Sequence, residues 1–598
     1  MPQLRTAIPA IFLVLTIAFP LLVSRHTLPL ATFYGEWAAA VVFLALAGVL
    51  TASASRSASG KDTNVPRVAC LLLWLVAIAA IQSASGLVDL TGSRYATQLS
   101  LVFSAVVMLA AYRYGTSAST DNRRNVVDAL ATAFLLAGLL GTLSQWVQLF
   151  HLESRSFGLV SSYFYDDNRR LWGNLNQPNH QATVEGMTLV AATWLASRGK
   201  LRFPMWLVAV VLLESGIVLS GSRTGVLHVG LAALYAVIAA WLARGTPRDT
   251  DPMRRPIGLL VAAVIMVAVL LVLQPAIKAA GHAFDWRLFD TLAQLEAADQ
   301  MSARSALWTH AWAMFRSHPW LGVGWGEFGW AQFQQLPQVG VKVEMSLHAH
   351  NAVLDLLAKT GIVGTAGVAL VLAGWLWRVV RVRLLQADGD ERAQIVVVLA
   401  WLAMLCAHSM LEYPLHYLYF FLPFCFMLGW LEPGGFGRWN IPRWLSLGLL
   451  AGFAAVSVIV LASMWQDYRR AEAREYATRE RRATLPMPAY WFRQYASADV
   501  AERAVITPAN AAELLPSHIA AVHLLPTPTM IARTAWLMAL TGDGAQGRAW
   551  LERLRYYYQG DEATQYATLD QACREVPNAA RPREFCGWIR EQARRMPD

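Results

Sequence analysis

Two histidines stand at the most suggestive position in the chain. His348-Ala-His350-Asn351 closes a long polar segment and opens an apolar run that carries Gly361-Ile-Val-Gly364. An imidazole titrates near neutral pH, so a histidine at such a loop end can take a proton from a hydroxyl. Two histidines at i and i+2 also suggest a metal, but no carboxylate or cysteine joins them at the customary ligand spacing. Taken alone, the plainer reading is favoured: two polar residues at a membrane edge.

Three further groups bear on the same question. Ser220-Gly-Ser-Arg223-Thr-Gly225 falls between two apolar runs. An arginine at that depth is costly unless it meets an anion or a wet cavity. Its planar fork suits a diphosphate, and the competing reading is a helix-end anchor that snorkels to the surface. Arg304 poses the same question from within a long polar loop. The segment Trp172-Gly-Asn174-Leu-Asn176-Gln177-Pro-Asn179-His180-Gln181 places five amides in eight positions. Amides and nearby aromatics suit sugar hydroxyls or an acceptor backbone, so Asn176, Gln177, Asn179 and His180 are candidate binding residues; a capped turn is the alternative. His408-Ser-Met-Leu-Glu412-Tyr413-Pro-Leu-His416-Tyr417 closes one apolar run and opens the next. Glu412 there can neutralise an arginine or orient a histidine, while an aromatic belt with a proline turn explains the segment equally well.

What holds these residues must be a bilayer. Of 598 residues, 56% are apolar and only 15% charged, with a mean hydropathy of +0.37. A soluble chain carries about a quarter charged residues. The charges cluster between apolar runs of about 17–25 residues, enough for a helix to cross a hydrocarbon core. We expect helices near 7–24, 36–53, 68–84, 98–113, 126–149, 182–197, 203–220, 224–243, 256–274, 352–378, 393–411, 415–431 and 443–465, about thirteen in all. The fold class is therefore all-α and polytopic, with 12–13 spans. The first run is read as a retained helix, since it lacks a small-residue cleavage site. Cys70, Cys406 and Cys425 lie in apolar runs as packing residues.

Charge placement orients the spans. Arg56, Lys61 and Arg67 lie in one connection, Arg113, Arg123 and Arg124 in a second, and Arg198, Lys200 and Arg202 in a third. Arg244, Arg248, Arg254 and Arg255 follow, then Arg378, Arg381, Arg383 and Arg392, then Arg438 and Arg443. These connections alternate, so the positive-inside rule sends them to the cytoplasm and the remaining loops outward. The net charge of +10 is thereby explained without nucleic acid, for which no basic stripe with interleaved aromatics exists. The motif-bearing segments 150–181, 220–225, 275–351 and 411–417 all fall on the outer side, although the hydropathy did not force them there. That agreement points to one active site built from several outer loops.

Four stretches follow: N-terminal spanning helices over 1–274 with an outer loop at 150–181, a long outer loop at 275–351, C-terminal spans over 352–465, and a tail from 466 to 598. The tail is charged and helix-forming. Ala532 to Leu540, Gly542-Asp543-Gly544 and Ala545 to Tyr558 read as a helical hairpin of tetratricopeptide type, without a clean repeat period. Cys573 and Cys586 can pair if the tail occupies an oxidising compartment.

With these residues laid out, the chain resembles the bacterial O-antigen ligase and polymerase superfamily, and within it the pilin-type protein O-oligosaccharyltransferases. His350-Asn351 followed by Gly361-Ile-Val-Gly364 matches the ligase pattern and singles out His350; Arg223 and Arg304 match its arginines. The amide run and the Glu412–His416 turn resemble the protein-glycosylating branch. The resemblance implies inverting transfer of an oligosaccharide from undecaprenyl diphosphate, at the periplasmic face of the inner membrane, to Ser or Thr of a pilin-like protein, with neither metal nor other cofactor. His350 would take the proton from the acceptor hydroxyl or help orient it, and Arg223 and Arg304 would hold the diphosphate. The residues Asn176, Gln177, Asn179, His180, His348, Asn351, Glu412, Tyr413 and His416 would contact glycan or acceptor. Lipid A-core or a growing glycan chain is the alternative acceptor. A lipid or polysaccharide transporter is the alternative of another class, and no matched pair of broken helices in repeated halves supports it.

Overall fold

The computed structural model describes residues 2–57, 63–244, 252–289, 299–439, 443–558, 562–576 and 581–595. Lys61 and Arg248 of the expected basic connections lie outside the described residues. Each of the thirteen expected runs is helical. Among the described residues, ten helices are long and apolar enough to cross a membrane, and Ile8–Leu21 and Leu418–Leu431 are shorter apolar helices. The chain is an all-α, multi-pass membrane protein.

It divides into two compact units. The first comprises Met1–Trp74, Ser100–Ala297 and Val368–Ala462. Its helices include α1 (Pro2–Leu21), α2 (Phe33–Ser57), α3 (Cys70–Ala84, which begins here), α4 (Gly92–Ser117, which ends here), α5 (Thr120–Leu149), α6 (Pro178–Ser197), α7 (Phe203–Ser220), α8 (Arg223–Leu242) and α9 (Pro256–Ala283). Helix α6 is buried from Asn179 through Ala196 and carries Gln181, Thr183, Glu185, Thr188 and Thr193. A helix enclosed by other helices can carry such residues, because its polar groups find protein partners instead of lipid. Thr142 and Gln181 accordingly donate to Glu185.

The basic connections of this unit meet on acidic side chains. Arg124 and Arg198 both reach Asp390, at 2.8 and 2.6 Å, while Arg123 and Arg383 share Glu391. Both acids lie in the first turn of the helix Gly389–Ser409. There they also suit the helix dipole. A short antiparallel pair, Thr63–Pro66 (β1) with Gly435–Trp439 (β2), was not expected; each strand is a four- or five-residue connection without alternating pattern. Of the apolar-run cysteines, Cys425 is buried and Cys70 half-buried. Cys406 is exposed rather than packed. On a spanning helix such a face meets hydrocarbon, where a thiol is tolerated.

The second unit comprises Leu75–Leu99, Ala298–Gly367 and Ser463–Asp598. The long loop and the tail, separate stretches in the sequence, share one hydrophobic core here. Leu307, Phe333, Leu336 and Val343 pack with Ile531, Leu537, Leu551, Phe585 and Ile589. The anticipated hairpin is present: Pro528–Thr541 ends at Gly542 in the left-handed region (φ 107°), and Asp543 caps the next helix, Gly544–Leu551. Cys573 and Cys586 form a disulfide with Cα atoms 5.6 Å apart.

Candidate functional site

In the first unit, three of the sequence motifs are wired together by a residue that sequence reasoning passed over. Arg170 donates from Nε to the Ser220 carbonyl at 3.1 Å and from Nη2 to Asn179 Oδ1 at 2.9 Å. The Asn179 amide in turn donates to Glu412 Oε1 at 3.1 Å. The Ser220–Arg223 turn, the amide run and the Glu412 turn thus form one polar relay, with the Arg170 guanidinium 5.1 Å from the centre of the Phe289 ring. Glu412 and Asn179 are buried, so their charge and amide are answered by one another and by Arg170. The signal for Arg170 was faint: it ends Asp166-Asp-Asn-Arg-Arg170, just before the amides.

The turn itself is tightly constrained. Gly221 adopts φ 58°, and an added Cβ would lie 2.9 Å from Phe289. Ser222 caps α8 by accepting from Gly225 N at 3.2 Å, and Arg223 is the first residue of that helix. A cation at a helix N-terminus opposes the dipole, whereas an anion there meets both the dipole and the guanidinium.

The amide run has a more local role than its composition suggests. Asn174 donates to the Leu22 and Leu159 carbonyls and accepts from Ser161 N. Gln177 caps α6 by accepting from His180 N at 2.7 Å. Asn176 sits in the left-handed region at φ 54°, which asparagine tolerates. His180 is 2% exposed and packs against Tyr417 at 4.7 Å and His408 at 5.7 Å. Tyr413 stacks on Tyr417 at 5.9 Å, and His416 is exposed.

In the second unit, the histidine loop is tied down at nearly every residue. Ser346 Oγ donates to the His348 carbonyl at 2.8 Å, and Asn351 caps the following helix through Val353 N and Leu354 N. Ala349 N donates to Asp355 Oδ1 at 2.9 Å. The buried Lys359 ammonium lies 2.8 Å from both Asp355 Oδ2 and His348 Nδ1. A lysine can only donate, so His348 Nδ1 accepts and its own proton sits on Nε2. His348 is thereby fixed as a donor. His350 is held at φ 54° and half-buried, a conformation that a non-glycine residue keeps only when its surroundings impose it.

The helix Ala352–Arg378 that follows is broken at Gly361 (φ 64°, ψ −167°). The Gly-rich loop after His318 fills the break: Ile362 N donates to the Pro319 carbonyl at 2.8 Å, and Val323 N to the Ala358 carbonyl at 2.8 Å. Gln82 donates to the Leu321 and Lys359 carbonyls and accepts from Trp325 N. Backbone groups freed by a break must find such partners. A Cβ on Gly361 would come within 2.3 Å of the Trp320 backbone. Arg304 lies near the start of the helix Asp299–Ser317, half-buried. Asp355, Lys359 and Gln82 were not singled out from sequence; Asp355 and Lys359 form an i, i+4 pair, and that spacing was the available signal.

A multi-pass helical protein with a constrained arginine turn, a fixed polar relay and a constrained histidine loop is defined by these features. Sequence comparisons give it relatives. The O-antigen ligase profile matches residues 207–369, the protein glycosylation ligase profile residues 171–196, and the profile for the C-terminal part of virulence factor membrane-bound polymerases residues 396–571. The chain is 25% identical over 449 residues to the general O-oligosaccharyltransferase of Acinetobacter baylyi, covering 74% of this chain and 72% of that one. It is 22% identical over 389 residues to the ComP-specific O-oligosaccharyltransferase of the same organism, covering 65% and 66%. The chain is a relative of the O-antigen ligases and the protein O-oligosaccharyltransferases, and with them a membrane-bound enzyme of the glycosyltransferase type.

Proposed function

We propose that the protein transfers an oligosaccharide from undecaprenyl diphosphate to Ser or Thr hydroxyls of a pilin-like protein on the periplasmic side of the inner membrane. The observation that carries this reading is the protein glycosylation ligase match over residues 171–196. It falls on the Asn179 segment that Arg170 and Glu412 hold in place. The disulfide in the tail supports an oxidising compartment for that unit.

In this reaction His350 takes the proton of the acceptor hydroxyl as its oxygen attacks the sugar C1. The bond from C1 to the diphosphate oxygen breaks with inversion, and undecaprenyl diphosphate departs with the electron pair. Arg223 and Arg304 hold the leaving charge, the role expected of fixed donors. His348, a donor through Nε2, orients the acceptor or a glycan hydroxyl. No step calls for a metal or a nucleotide. Asn176, Gln177, Asn179, His180, Glu412, Tyr413 and His416 shape the surroundings, several of them through bonds within the protein rather than by touching the glycan.

The alternative acceptors, lipid A-core or a growing glycan, draw on the O-antigen ligase and polymerase matches. A deletion strain that makes the lipid-linked donor separates the readings. Loss of glycan from a pilin-type protein, with lipopolysaccharide intact, is the expected result; loss of capped lipopolysaccharide with pilin glycosylation intact overturns it.

A further inference from the structure

The second unit contains an open cavity of about 520 Å³ that none of these roles uses. Its volume is in the range of small-ligand sites, about 300–1,000 Å³. One wall is the helix Phe328–Val339, which carries no charged residue. Phe328, Gly329, Gln332, Phe333 and Leu336 are buried. Trp330, Gln334 and Gln338, spaced i, i+4 and i+8, line the cavity together. An exposed helix face is ordinarily dressed with lysine and glutamate; this one presents an indole and amides.

The rest of the lining completes a pattern. Glu327, at the mouth of that helix, is only 5% exposed and is paired with Arg94 at 2.5 Å and with His523 Nε2 at 2.5 Å. His523 also lies against the Trp330 ring, with centroids 4.8 Å apart. The carboxylate is already neutralised, so the cavity is not a cation site, and its accessible polar groups are chiefly amides and imidazoles, His318 among them. Groups that both donate and accept match hydroxyls, which do the same. An aromatic ring beside them matches the C–H face of a pyranose.

The geometry points to a saccharide-binding subsite lined by Trp330, Gln334, Gln338 and His318, which takes sugar residues of the transferred glycan. This rests on the reading that the chain handles a lipid-linked oligosaccharide. The probe is the oligosaccharide released by mild acid from the host's lipid-linked pool. It is added to the full-length protein in nanodiscs and followed by saturation-transfer NMR.

Wild type, His350→Ala and Trp330→Phe are expected to saturate the sugar ring protons. Trp330→Ala and the double variant Gln334→Leu with Gln338→Leu are expected to weaken binding at least tenfold. Thermal melts certify folding, and the double variant touches only the cavity side of the helix. Unchanged saturation in both weakened variants overturns the subsite, as does saturation of an acceptor-type peptide but not of the sugar. Sugar binding by a wild-type protein that shows no transfer sinks the transferase reading and leaves the subsite standing.

Discussion

The two histidines of the loop differ in what their neighbours allow. Lys359 lies at Nδ1 of His348, whereas His350 stands in the left-handed region of the backbone. His350→Ala should therefore lower transfer by about 10²–10⁴-fold, the usual contribution of a general base. Undiminished transfer at normal protein level would reject the role. Arg223→Lys keeps the charge and loses the fork, and kcat should fall by about 10²-fold, the scale of losing one fixed donor; wild-type turnover would reduce Arg223 to an anchor. Lys359→Met removes the ammonium that answers the buried Asp355 carboxylate and should cost about 3–5 kcal/mol of stability. Adding Asp355→Leu should recover much of that loss in a thermal melt while lowering transfer, because Ala349 N has lost the acceptor that fixes the histidine loop. His350, Asn351 and Arg223 were legible as candidates from residue type and spacing. Arg170 and Asp355 were not, because their importance lies in contacts with other segments of the chain or across a turn.

Elements were read with greater ease than their interruptions. Each apolar run became a helix because a bilayer leaves the backbone no other way to satisfy itself within one segment. The break at Gly361 was invisible as a break: Gly361-Ile-Val-Gly364 is compatible with a continuous helix, and only the loop after His318, supplying partners to the freed groups, makes the other choice cheaper. Gly361→Ala should bring about 1–3 kcal/mol of backbone strain in addition to the clash with Trp320. The expected outcome is a lower melting temperature or loss of the monodisperse peak in size-exclusion chromatography. The helix Asp299–Ser317 carries a different liability. Burial pushes the His310 imidazole below its ordinary value, so the folded form favours the neutral ring. Its contribution is intact above the unfolded histidine value of about 6.5 and is lost as the pH falls through it. A melt series from pH 8 to 5 should show stability declining below pH 6.5, and His310→Gln should flatten that decline.

At the scale of the molecule, the disulfide and the membrane orientation offer the remaining checks. Cys573→Ser opens a loop of sequence separation 13. A loop of that size is worth about 3 kcal/mol, so a lower melting transition in calorimetry is expected. With the three free cysteines removed, a cysteine at Lys342 should react with an impermeant maleimide from outside intact spheroplasts, and one at Arg202 should not; the reverse would invert the topology. Composition and the length of the apolar runs were enough to determine a polytopic helical chain, because the bilayer imposes its thickness on any sequence; the placement of arginines supplies the expected side for its polar loops, which the maleimide experiment checks. Only the tertiary structure decided that Arg170 joins three motifs, that the amide run is spent largely on internal bonds, and that the long loop and the tail share one core. Those outcomes depend on which distant groups meet, and a local pattern carries no record of its long-range partners.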